Sequence, residues 1–284
     1  MSAIIFIHAL AAAFTWLCSS GSALVWGIPA LACCALFIFA LQWLAFIPAY
    51  LRQTERYYDL VGSLTYMGAV FLALLLSTSH DARSLLLAVL ITVWAVRLGS
   101  FLFRRISEQG HDSRFDRIKP NAVLFFRTWS LQGLWVLVTA GAALTAITSP
   151  HQPPLGLLDM AGAALWLFGF AIEVVADRQK RQFRRSQGEQ GFIDVGLWSR
   201  SRHPNYFGEI VLWAGIALMA APALTGWQYV ALVSPLFVYV LLTRISGVPL
   251  LERKADRRWG DDPGYTAYKA NTPVLVPRLF RAAR

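Results

Sequence analysis

Residues 155–176, LGLLDMAGAALWLFGFAIEVVA, run straight into DRQKRQFRR at 177–185. The first stretch is apolar over about the 20 residues that a helix needs to cross the hydrocarbon core of a bilayer, and the second is a dense basic flank. The same pairing of apolar run and basic loop recurs along the whole chain. Of its 284 residues, 56% are hydrophobic, and 11 are Trp. The expected fold is all-α: a polytopic integral membrane helix bundle of seven or eight transmembrane helices with a C-terminal cap in the cytoplasm. Length fits a single domain over residues 1–284.

Candidate spans lie near 3–18, 23–50, 60–78, 84–103, 121–146, 155–176, 207–222 and 226–246. The run at 23–50 is long for one helix and contains Pro29. The segment AIIFIHALAAAFTWLC at 3–18 lacks a basic leader and a clear cleavage site, so it reads as a membrane helix rather than a signal peptide. With the N-terminus in the cytoplasm, the loops at 51–59, 104–120 and 177–206 and the tail after 243 are cytoplasmic as well. They hold all of the 26 Lys and Arg residues except Arg83, Arg97 and Arg127, as the positive-inside rule requires. Both termini are then cytoplasmic, in what reads as a bacterial inner membrane.

The net charge of +10 sits in short loops beside the spans, which fits anionic lipid headgroups or an anionic cofactor and argues against nucleic acid. Cys18, Cys33 and Cys34 fall in apolar runs without metal-ligand spacing and read as reduced packing residues. The five histidines are scattered, so no metal site is expected. There is no Gly-rich dinucleotide fingerprint, P-loop or H-E-x-x-H.

Chemistry concentrates in three places. Residues 195–209, VGLWSRSRHPNYFGE, form a polar knot between two apolar stretches. Pro204 blocks continuation of the preceding segment, Asn205 can cap the next helix, and Glu209 lies one turn further on the same side. Upstream, Glu173, Asp177, Arg181 and Arg184 share one helix face. They form either a ladder of ion pairs or a polar wall beside a nucleotide, with the arginines on phosphate. Ionisable groups at or near membrane depth make the third set: Tyr58 and Asp59, Arg97, Arg127 and Arg244.

Five blocks in order resemble the steroid 5α-reductase superfamily, particularly its bacterial and plant branch: YYDLVGSLTY at 57–66, WAVRLGSFLFRR at 94–105, EVVADRQKRQFRR at 173–185, the knot, and TRISGVPLLE at 243–252 leading to Y-T-A-Y and V-P-R-L-F. The resemblance covers residues 50–284 and leaves 1–49 as N-terminal membrane helices. It implies NADPH held on the cytoplasmic side and reduction of the carbon–carbon double bond of a hydrophobic enone entering from the bilayer. By this likeness Asp177, Arg181 and Arg184 contact the cofactor, Asn205 and Glu209 lie on its nicotinamide side, and Arg202, His203 and Tyr206 belong to the same segment. Arg244 and Tyr268 complete the cofactor set. Asp59 takes the position of a carbonyl-polarising Glu, with Tyr58 as a substitute donor and Arg97 retained nearby. The position of a catalytic Tyr is held here by Trp94. The C-terminal third is also similar to isoprenylcysteine carboxyl methyltransferases, which leaves S-adenosylmethionine as the rival cofactor. A non-enzymatic lipid-binding protein is the third reading.

Overall fold

The computed structural model describes residues 1–188 and 191–278; Leu279 and Phe280 of the last matching block lie outside them. The chain is almost wholly helical. In chain order the helices are α1 Ser2–Cys18, α2 Ala30–Leu51, α3 Tyr58–Leu76, α4 Ala82–Gln109, α5 Ala122–Thr139, α6 Gly141–Thr148, α7 Leu157–Gln187, α8 Pro204–Ala220, α9 Ser234–Val240, α10 Val248–Trp259 and α11 Pro263–Asn271. Among the described residues, seven helical stretches are long and apolar enough to cross a membrane, and α1 is a shorter apolar helix. The polytopic helix bundle expected from the apolar runs is what the chain forms.

Three runs are divided differently from the expectation. The stretch 23–50 opens with a two-stranded hairpin, β1 Leu24–Val25 against β2 Ile28–Pro29, and α2 begins only after Pro29. Proline cannot extend a helix backwards, but its fixed φ suits the entry to one. The stretch 121–146 breaks at Ala140 into α5 and α6. The last run is 3₁₀-helical over Gly226–Val233, α-helical in α9 and π-helical over Leu241–Ile245.

The helices group into two compact units. The first comprises residues 1–160 and 216–234. Within it α3 and α4 run antiparallel in close contact. A side chain at Gly99 would meet Ser63 at 2.7 Å, Tyr66 meets Trp94 edge-on with ring centres 5.1 Å apart, and Asp59 meets Arg105 at 3.3 Å. An ion pair is sealed into the same unit. The Arg83 guanidinium forks onto Asp159 at 2.7 and 2.9 Å, and its remaining N–H groups donate to the Pro153 and Pro154 carbonyls. With Arg83 1% and Asp159 3% exposed, each charge depends on the other for its solvation.

The second unit comprises residues 161–215 and those from 235 onward. Its α7 and α8 touch backbone to backbone. A Cβ on Gly208 would stand 2.5 Å from the Gly169 carbonyl oxygen, and one on Gly215 would stand 2.5 Å from that of Gly162. Small residues one heptad apart on both helices permit this approach, the usual device for joining helices where lipid offers no hydrophobic drive. The seam fixes how the polar end of α7 meets the start of α8.

Candidate active site

In the second unit the knot is built around α7. The 3₁₀ turn Gly196–Ser199 starts at Gly196, whose φ of +62 suits glycine, and the Leu197 N–H donates to the Gln179 side-chain carbonyl at 2.9 Å. The buried Trp198 indole donates to the Ala176 carbonyl at 3.0 Å, and the Lys180 ammonium lies 4.7 Å from that ring's centre. The other edge of the knot is held by the tail. Backbone N–H groups of Arg202 and His203 donate to the Pro273 and Val274 carbonyls, and the Arg278 N–H donates to Arg200.

α8 begins at Pro204, where a missing N–H costs nothing. Asn205 is therefore already inside the first turn and is not the expected cap. Its amide instead donates across to Asp177 on α7 at 3.3 Å. Asp177 and Glu173 are both buried, with the Glu173 backbone packed against Gly208. Arg181 and Arg184 continue the same ridge, Arg184 exposed.

His203 is buried, stacked parallel on Tyr206, and donates from Nε2 to the Glu252 carboxylate at 2.8 Å. Burial holds its pKa below the ordinary histidine value, against the opposing pull of Glu252, so the ring is neutral at neutral pH. Arg202 pairs with the other Glu252 oxygen at 3.1 Å. Two buried atoms here lack a partner among the described residues: His203 Nδ1, an acceptor in this tautomer, and the Arg202 Nε–H donor. An acceptor and a donor stand side by side in the chain here, where a water or a polar ligand would satisfy both. Arg244 lies exposed in the π-helical turn and makes no hydrogen bond or ion pair with the described residues. Tyr268 uses its hydroxyl to donate to the Trp198 carbonyl at 2.8 Å, so it buttresses the knot.

Tyr58, Asp59 and Arg97 belong to the first unit. The Tyr58 hydroxyl donates to the Thr128 carbonyl at 3.1 Å, and its ring is fixed edge-on by Phe115 and Trp129. That hydroxyl is thus engaged by a backbone carbonyl, and its ring is held by aromatic neighbours. Asp59 pairs with Arg105, the last residue of the WAVRLGSFLFRR block, while the Arg97 guanidinium lies 5.5 Å from the Phe101 ring centre. In the same unit Glu55 holds the 110–121 loop, accepting from the Asp112 N–H at 2.8 Å and from Lys119. Burial alone would raise the Glu55 pKa, but these two donors hold it below the usual carboxylate range. Glu252, the last residue of the TRISGVPLLE block, is like Arg105 a residue at the candidate site to which the sequence pattern assigns no role. Among the described residues no cluster of His, Cys, Asp or Glu could hold a metal.

The family described as "Protein of unknown function (DUF1295)" matches residues 45–272. An uncharacterised protein of Schizosaccharomyces pombe is 23% identical over 228 residues, covering 69% of this chain and 64% of that protein. The 3-oxo-5-alpha-steroid 4-dehydrogenase 1 of Bos taurus is 39% identical over 72 residues, 25% of this chain and 27% of the enzyme. That of Rattus norvegicus is 31% identical over 121 residues, 42% and 40%. The chain thus spans less than two thirds of each of these relatives. No solved structure matches.

Proposed function

This chain belongs to the DUF1295 family, and its matches are consistent with the steroid 5α-reductase superfamily; from that premise we propose that it is a membrane oxidoreductase reducing the carbon–carbon double bond of a hydrophobic enone with NADPH. The observation that carries the reading is the unpartnered buried pair, Arg202 Nε and His203 Nδ1, next to the Asn205–Asp177 contact. One donor, one acceptor and a carboxamide suit a nucleotide with its mixed edges, and the basic ridge beside them suits its phosphates. When bound, NADPH supplies the hydride.

The chain's own residues bind and orient. Arg181 and Arg184, with the exposed Arg244, would hold the phosphates of such a cofactor; Asp177 and Asn205, with Glu209 one turn on, would hold its ribose and carboxamide. Asp177 holds the Asn205 amide in one orientation, so the face that Asn205 offers is fixed before ligand arrives. Hydride addition at the β-carbon of an enone leaves negative charge on the carbonyl oxygen, and by the family resemblance Asp59, in its protonated form, would donate the hydrogen bond there. Arg105, paired with it, sets the orientation of that carboxyl. The hydrophobic substrate enters from the bilayer.

The test is thermal unfolding of the detergent-solubilised full chain with NADPH or with S-adenosylmethionine, alongside an Arg184→Ala/Asn205→Ala variant. Stabilisation by NADPH, absent in the variant, is expected. Stabilisation by S-adenosylmethionine alone would transfer the site to methyl-transfer chemistry, and silence from both would remove the enzyme reading.

A further inference from the structure

α10 has two unlike faces. Val248, Glu252, Ala255 and Trp259 share one side, and through it Glu252 holds His203 and Arg202 of the knot. The opposite side carries Leu250, 39% exposed, with exposed Arg253, Lys254 and Arg257, and Leu251, 36% exposed, and Arg258 stand at its flank. Among the described residues, Arg253, Lys254 and Arg257 make no ion pair or hydrogen bond. Arg258 lies 5.2 Å from the ring centre of Trp259, and the neighbouring acid Asp256 is already engaged by Lys269 and Tyr265. The preceding helical run exposes apolar side chains as well: Leu236, Tyr239, Val240 and Ile245.

A helix in bulk water gains nothing from exposing two leucines. A helix in hydrocarbon cannot hold four cations. Both halves are satisfied in the headgroup layer, where leucines reach the acyl chains and long basic side chains extend to phosphates. We propose that the outer face of α10 is a binding surface for anionic lipid headgroups, with Arg253, Lys254 and Arg257 on the phosphates. Because Glu252 on the inner face holds the knot, lipid bound outside also steadies His203 and Arg202 inside. The inference does not depend on the oxidoreductase reading.

Its test uses the full chain in nanodiscs of pure phosphatidylcholine or of phosphatidylcholine with about a third phosphatidylglycerol. The unfolding midpoint is expected to rise by roughly 3–6 °C in the anionic discs and to lose that rise at high salt. An Arg253→Gln/Lys254→Gln/Arg257→Gln variant should lose most of the rise, while Arg52→Gln/Arg117→Gln should keep it. Acylation of Lys254, followed by mass spectrometry of the wild-type protein, gives a second reading that needs no variant: Lys254 should react more slowly in anionic discs. An equal rise in the triple variant, or equal Lys254 reactivity in both discs, would overturn the proposal. So would a rise in neutral discs on adding free glycerol phosphate, which would make this a site for soluble anions.

Discussion

His203 is a buried imidazole held neutral by its surroundings, and its proton is therefore a lever on stability. Its folded pKa lies below the unfolded value of about 6.5, so its contribution is complete above that pH and is lost as pH falls toward the folded value. The midpoint of unfolding should fall between pH 7 and 5, and the His203→Gln variant should show a flatter profile over the same range. Thermal melts of both proteins across those buffers decide it. Tyr58 and Asp59, neighbours in sequence, should behave differently once an enone substrate is in hand. Tyr58→Phe removes only a hydrogen bond to a backbone carbonyl, costing about 1 kcal/mol of stability and leaving kcat intact. Asp59→Asn keeps a donor and should retain activity within about tenfold, whereas Asp59→Leu should lose roughly 10²–10³-fold. Equal loss in the Tyr58 and Asp59 variants would show that the phenol acts in the reaction. At this scale the knot residues were legible, because polar groups in so apolar a chain need a reason. Arg105 and Glu252 were not, since their partners lie 46 and 49 residues away in the chain, a separation that no local pattern encodes.

At the scale of elements, the α7–α8 seam governs whether Asp177 and Asn205 stay in contact. Gly208→Ala would press a methyl against the Gly169 carbonyl oxygen and the Glu173 N–H, both backbone atoms that cannot step aside. The helices must then part, at a cost of about 1–3 kcal/mol. A lowered unfolding midpoint with weakened NADPH binding is the expected outcome, and Gly156→Ala, where a methyl meets open space, is the control that should do neither. The apolar runs announced the helices well, because burial in lipid demands length and composition more than any fine pattern. They did not announce the breaks. The passage from 3₁₀ to α to π between Gly226 and Ile245 happens inside an unbroken apolar stretch, where period carries little information. Pro29 was the exception, a visible irregularity in a run too long for one helix.

For the molecule as a whole, the buried Arg83–Asp159 pair is a charge interaction with a large stake. Removing one partner strands the other in a dry interior. Arg83→Met should therefore cost about 3–5 kcal/mol, whereas the Arg83→Met/Asp159→Leu double variant should recover much of that loss. Denaturation of the three proteins in the same nanodiscs measures the difference, and an equal loss in single and double variants would locate the cost in the Pro153 and Pro154 contacts instead. Asp159 follows Arg83 by 76 residues, so the two are not made together. As the chain leaves the ribosome, α4 enters the membrane carrying a cation whose counter-ion is still untranslated. Until α7 begins to emerge, that arginine must wait at the membrane surface or lean on the insertion machinery. A lesion at Asp159 thus leaves the Arg83 charge without its counter-ion from the moment α4 is made.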